Sequence, residues 1–485
     1  MPSNRVVKVR ASGDSVSAQE MRDGIAAIQE QQKISPEFPD AVEKAAADAA
    51  ANPRLPELDR TDIELVTIDP EGARDLDQAM HIARDPEREG GYIVHYAIAD
   101  VAAFVSPGDP VDVEANRRGE TLYGADSKVP LHPPVLSEGA ASLLPDEIRP
   151  ALLWTIRVDE TGEGYDVDVA RALVRSREQL TYEGVQADID AGRASELMGL
   201  LQEVGELRLT REAARGGVSL PLPEQELVEE DGHWRLEFRR LSDVETWNAQ
   251  ISLLTGMAAA SLMVYARVGI LRTLPPADPR DVQRLHRTAR ALGIDWPAEQ
   301  LYPDFIRTLD PSRPTHAAMV VACTRLLRGA GYVTFNGELP EQPQHAALAA
   351  EYAHVTAPLR RLVDRYAGEI CVALCAGTDV PDWVTAAMHE LPDTMSESGR
   401  RANAYENAIV DLCEAELLKE HVGETFSAVV VEVEEKDASK GDVTIQDPAI
   451  EARVSGSSDL PLGEEVQVRL VQADPTSRSV AFELA

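Results

Sequence analysis

Thr67-Ile68-Asp69-Pro70-Glu71-Gly72-Ala73-Arg74-Asp75-Leu76-Asp77-Gln78-Ala79 places three aspartates around one turn. The β-branched run before it, residues 63–68, predicts a strand that delivers Asp69 at its end. Pro70-Glu71-Gly72 forces a turn, and Asp75 and Asp77 then alternate on one side of the extended segment that follows. Converging carboxylates are hard oxygen ligands suited to divalent cations. Two such ions about 4 Å apart clamp the attacking and leaving oxygens of an in-line phosphoryl displacement. With 83 acidic residues in the chain, the same spacing also describes a solvated acidic loop. The flanking sequence has to decide.

Outward from this stretch, three regions separate. Residues 1–57 predict a short helical module: Ser17-Ala18-Gln19-Glu20 has the form of a capping box, with Met21, Ile25 and Ile28 at helical spacing behind it. A second, alanine-rich helix is expected over residues 40–51, ending before Pro53. The pair suits either a helix-turn-helix-like nucleic-acid contact or a packing arm on the main body. Residues 58–420 read as an α+β domain. Strands are expected at 63–68, 92–98 and 151–158, and long helices at 182–214, 244–267, 279–292 and 398–420. From 421 to 485, five short β-branched segments with Gly and Asp-Pro punctuation have the size and rhythm of an OB-fold barrel.

The 485-residue chain is 44% hydrophobic, enough for a large core and several domains. Its formal net charge of −36 opposes non-specific binding of polyanions. Contact with nucleic acid therefore has to be concentrated in a channel, for which Arg117, Arg118, Arg360, Arg361 and Arg365 are the candidate lining. The four cysteines fit a reducing compartment. Cys371 and Cys375 share a helix face, with no second pair at zinc-ligand spacing, and read as core residues. The N-terminal MPSNRVVKVR lacks the apolar segment of a signal peptide. Residues 246–266 carry no charge, but their alanine and polar content reads as a buried core helix rather than a membrane span. The expected location is cytoplasmic.

The sequence beyond the aspartates carries a resemblance. Val94-His95-Tyr96-Ala97-Ile98-Ala99-Asp100-Val101 is followed by Arg118-Gly119-Glu120-Thr121-Leu122-Tyr123 and Val129-Pro130-Leu131-His132-Pro133-Pro134. Far downstream stands Tyr352-Ala353-His354-Val355-Thr356-Ala357-Pro358-Leu359-Arg360-Arg361, with Asp364 and Arg365 beyond. In this order the motifs resemble the RNB catalytic domain of the ribonuclease II/R family of 3′→5′ exoribonucleases. The resemblance implies Mg2+, two ions, held by Asp69, Asp75, Asp77 and Gln78. Gln78 stands where the family has a fourth aspartate, so its amide would ligate without charge. It further implies Asp77 and Arg360 as catalytic residues, Arg360 meeting the scissile phosphate. Tyr123 is implied as the aromatic stacked near the RNA 3′ end, with Arg118, Arg361 and Glu406 as further RNA contacts. The family's second clamping aromatic has no counterpart in residues 269–276. The C-terminal region resembles the family's S1-type OB-fold. With only Phe426 and Phe482 as aromatics, and 13 acidic against 5 basic residues from Gly423 onward, it is expected to touch RNA weakly. Residues 1–57 are too few for the cold-shock-type OB-folds that often open the family's chains. The implied activity is hydrolysis of single-stranded RNA to nucleoside 5′-monophosphates by a monomeric enzyme. A non-catalytic or weakly active RNA-binding protein on the same scaffold is the alternative, because of Gln78.

Overall fold

A computed structural model of the chain describes residues 9–10, 16–124, 128–220, 224–230 and 233–485. Five strands, β1 (Leu65–Asp69), β2 (Gln78–Arg84), β3 (Tyr92–Ala99), β4 (Ile148–Val158) and β5 (Gly164–Thr181), close into a barrel in sequence order. Neighbours from β1 to β5 run antiparallel, and β1 returns to β5 in parallel, with Asp69 opposite Thr181. An odd number of strands cannot close with every pair antiparallel, so one parallel seam is geometrically required. Alternate strand residues enter different cores. Val94, Tyr96 and Ile98 join the large cluster shared with the surrounding helices, while Ala97 and Ala99 join a second cluster with Leu153, Ala172 and Val174.

The helices fasten to this barrel at distinct places. Helix α1 (Val16–Gln32) buries Met21, Ile25 and Ile28 in the cluster that also holds Tyr405 and Leu412. Helix α2 (Asp40–Ala51) instead buries Val42 and Ala46 in the barrel's second cluster, against α3 (Pro110–Arg118). The two N-terminal helices thus bury their apolar faces in different cores. Helix α1 begins at Val16, ahead of Ser17, whose side chain lies outside the described residues. The expected helix over 182–214 is broken at Gly192 (φ 66°), and α4 (Glu196–Ala214) restarts under a Ser195 cap. Helix α5 (Asp243–Ala266) is the one described helix long and apolar enough to cross a membrane. It packs on α4 and on α6 (Leu362–Ala376), and at Gly256 an added Cβ would meet the Tyr352 ring at 2.2 Å. Helix α7 (Leu391–Leu418) then leads to the C-terminal barrel.

That second barrel comprises β6 (Thr425–Glu434), β7 (Asp437–Ile445), β8 (Ile450–Ser455), β9 (Glu465–Asp474) and β10 (Ser479–Leu484). Its order is β6-β7-β8-β10-β9, with a parallel β8–β10 seam, the arrangement of an OB-fold. Helix α7 bridges the halves, its Tyr405, Ile409 and Cys413 sharing a core with Val430, Ile450 and Phe482.

Candidate active site

One end of the first barrel gathers the aspartates. Asp69 closes β1, and the next turn is fixed by the Ala73 N–H donating to the Pro70 carbonyl (3.1 Å), with Gly72 at φ 80°. Only glycine adopts that conformation without strain at the third position of such a turn. Leu76 is fully buried, and its N–H donates to Ser142 Oγ (3.0 Å), which pins the two flanking aspartates. Asp77 is 5% exposed and accepts from the Leu359 N–H at 2.8 Å. Strand β2 starts only at Gln78, so Asp75 and Asp77 precede the strand rather than alternating along it.

Arg360 arrives on a loop clamped at almost every residue. The Gln78 amide donates to the Thr356 carbonyl (2.6 Å), and Asp364 accepts from the Ala357 N–H (2.7 Å). His132 Nδ1 contacts the Leu359 carbonyl (3.1 Å), and the Arg360 carbonyl accepts from the Thr121 N–H (3.0 Å). The guanidinium itself stays 44% exposed, with Nε 3.4 Å from Asp77 Oδ2. Tyr123 lies in hydrogen-bond reach of it. A cation held rigidly yet open to solvent is preorganised for a phosphate.

The buried carboxylates carry the electrostatic signature of a cation site. Burial, opposed by Arg360, pushes the Asp69 carboxyl up to about 6, and Asp75 adds to the rise. Burial likewise pushes Asp77 up to about 7, against Arg360 and the Leu359 N–H. Asp69 Oδ2 is buried without a hydrogen-bond partner. An orphaned carboxylate oxygen on Asp69, and a buried Asp77 that faces the same Arg360 charge, are oxygen donors suited to a hard cation, whose other ligands would be water and phosphate.

The remaining expected ligands are engaged elsewhere. Gln78 Oε1 accepts from the Tyr96 hydroxyl (2.7 Å) while its Nε2 holds Thr356, so the amide braces the Arg360 loop. Asp75 is ion-paired with Lys128 Nζ at 2.7 Å, and Lys128 also reaches Glu138 at 2.9 Å. Among the described residues, no group of three His, Cys, Asp or Glu side chains is placed to hold a metal ion.

Two of the expected RNA contacts, Arg118 and Arg361, are engaged within the protein. Arg118 is buried, paired with Glu114 (2.7 Å), bonded to the Pro130 and Glu37 carbonyls and laid over the Phe38 ring. Arg361 forms a two-pronged pair with Asp364 (2.8 and 2.9 Å). Arg365 likewise pairs with Asp112 (2.6 Å) in the interior, and Arg117 with Glu114. A buried guanidinium without a carboxylate is costly, so the pairs of Arg118, Arg361 and Arg365 serve the fold, while the exposed Arg117 pairs with Glu114 away from the aspartates, and Arg360 alone of the five combines exposure with the carboxylates. Glu406 does lie beside Tyr123, whose backbone donates to it; burial and the Glu120 charge push it up to about 7. Sequence reading missed Lys128, Glu138 and Tyr96.

A family model, the RNB domain, matches residues 58–375, and a second, the RNase II-type exonuclease C-terminal S1 domain, matches residues 424–485. Ribonuclease R of Vibrio parahaemolyticus is 27% identical over 83% of this chain and 51% of its own length. The chain therefore spans about half the length of the curated relatives it matches. Among solved structures, Mycoplasma genitalium RNase R in complex with ribose-methylated single-stranded RNA superposes with a TM-score of 0.84 at 19% identity, covering 96% of this chain and 78% of that one. Yeast Ssd1, a pseudonuclease, shares the fold at a TM-score of 0.70 and 16% identity, covering 94% of this chain and 57% of that one. Since the RNB model matches well over half of the chain, and the S1 model follows it in order, the protein belongs to the RNB-domain, ribonuclease II/R family.

Proposed function

We propose that the chain is a 3′→5′ exoribonuclease that hydrolyses single-stranded RNA to nucleoside 5′-monophosphates with Mg2+, acting as a cytoplasmic monomer. The observation that carries this reading is Arg360, exposed beside Asp77 on a loop fixed by Gln78, Asp364 and His132. The matched relatives named ribonuclease R, and an RNase R structure with single-stranded RNA, support RNA as the substrate. When bound, a divalent cation supplies Lewis-acid polarisation of the phosphate and a more acidic water. Asp69 and Asp77 would hold it. Arg360 binds the scissile phosphate and stabilises the charge that develops on it. Tyr123 offers a ring to the terminal base, a contact tolerant of base identity. The Asp77 hydrogen bond to the Leu359 N–H keeps carboxylate and guanidinium in register.

The second reading, an RNA-binding protein without turnover, is favoured by the Gln78 amide, both of whose ends are spent on Tyr96 and Thr356. Chromatography of products from single-stranded RNA separates the two. Nucleoside 5′-monophosphates that appear with Mg2+, and vanish with chelator or in Asp77→Asn, support the exonuclease. Retained RNA with no mononucleotide under any cation condition sinks it in favour of the binder.

A further inference from the structure

Lys128 lies where no catalytic role has been given to it. It sits on the two-residue strand opposite Tyr123, so the backbone sets its side chain next to the aromatic that reaches Arg360. Its ammonium contacts Asp75 Oδ1 at 2.7 Å and Glu138 Oε1 at 2.9 Å. All three side chains are sheltered, 26%, 19% and 27% exposed respectively. A surface pair of this kind contributes little, but a sheltered ammonium between two carboxylates is a fixed positive charge at Asp75. On the other side of the site, Gln78 brings no charge, and each end of its amide already holds a hydrogen bond.

We infer that the Lys128 ammonium is the resident cation at Asp75, taking the place of a second divalent ion, so that the site binds one divalent ion, at Asp69 and Asp77. The inference rests on the cation-dependent reading above. A second ion at Asp75 would have to expel Lys128 from both carboxylates and would meet its charge nearby. Arginine and lysine differ in shape, but either keeps a positive charge there, whereas an uncharged side chain leaves Asp75 and Glu138 open as oxygen ligands. Lys128 is thus a positioning residue, acting through Asp75.

The test counts bound Mn2+ per chain by electron paramagnetic resonance of the unbound ion. Wild type, Lys128→Met, Lys128→Arg and Asp77→Asn are compared, with thermal melts to confirm folding. The expected counts are one for wild type and Lys128→Arg, two for Lys128→Met, and none for Asp77→Asn. Two ions in wild type, or one in a folded Lys128→Met, would overturn the Lys128 role and leave the exonuclease reading intact. No bound ion in wild type would overturn both. If Lys128→Met does not fold, Lys128→Gln, which keeps a polar side chain without the charge, takes its place: two ions are expected, and one would overturn the inference.

Discussion

The chain contains two closed five-stranded barrels that handle charge in opposite ways. In the first, the polar end is buried and its charges are unequal partners: Asp69 and Asp77 are sheltered, and one exposed arginine faces them. In the second, charges lie on the outside and are matched locally, Arg453 with Glu434 and Asp442, Arg469 with Glu483, and Lys440 with Asp437. The first barrel joins its strands in sequence order and closes β1 onto β5, bringing the ends of β1 and β2 together with a loop from residue 353 onward. The second crosses over, and three of its basic side chains are each paired with a nearby carboxylate on an acidic surface. Closure alone makes no site. What distinguishes the first barrel is that desolvation is left uncompensated at two carboxylates, the condition that favours a cation or a phosphate.

Removing the unmatched charge should break this contrast most strongly. Arg360→Ala is expected to lower RNA turnover by about 10²–10³-fold, the scale of losing a preorganised charge-stabilising donor. Because the side chain is 44% exposed, melting temperature should hardly move; a turnover rate within threefold of wild type would sink its catalytic role. Next comes Gln78→Asp. It removes the donor to the Thr356 carbonyl and adds a carboxylate beside Asp77, so denaturant unfolding should show a loss of about 1–3 kcal/mol. An unchanged or raised stability would mean that the amide is not the brace described.

The third effect depends on pH. Asp69 and Asp77 have folded-state pKa values of about 6 and about 7, above the ordinary 3.8. Between pH 4 and 7 the folded protein therefore holds more protons than the unfolded chain. Their contribution to stability is fully present below about pH 4 and is lost as pH rises through 6 to 7. A divalent cation needs both carboxylates ionised, so the melting-temperature gain on adding Mn2+ should be small at pH 5 and larger at pH 8. A gain that is equal at both, or larger at pH 5, would contradict the assignment. The smallest effect belongs to the second barrel. Arg453→Ala or Arg469→Ala, each removing an exposed pair, should cost under about 1 kcal/mol and leave RNA affinity within twofold by fluorescence anisotropy. A tenfold loss would make that barrel a primary binding surface.

The sequence made the second barrel legible because its strands are short and alternating and separated by turn residues. In the first barrel, β2 and the 18-residue β5 passed unnoticed. Strand β5 carries Arg171, Arg175 and Arg177, which break the apolar rhythm. Arg171 meets Asp100 (2.8 Å) and Glu369, and Arg177 the Thr61 carbonyl, partners invisible along the chain. Arg118 and Arg361, expected as RNA contacts, are each paired with a carboxylate three or four residues away, a partner that the sequence does contain but does not mark as the one chosen. Asp69, Asp77, Tyr123 and Arg360 stand out through motif order, which reports on ancestry rather than geometry. The engagement of Gln78 and Asp75 depends on Tyr96, Thr356 and Lys128, and only the folded barrel brings these together. The capping box shows the local limit. Ser242 and Glu245 form a complete one on α5, and the same four-residue pattern at Ser17 falls inside α1.

The most direct measurement is photocrosslinking of Asp77→Asn to single-stranded RNA carrying a 3′-terminal 4-thiouridine, followed by peptide mapping. Crosslinks to the Tyr123 or Glu406 peptides are expected, because the 3′ end is drawn to the polar end of the first barrel. Crosslinks confined to residues 424–485 would contradict the account, since they would place the reacting end of the RNA on the barrel whose few basic side chains are already paired.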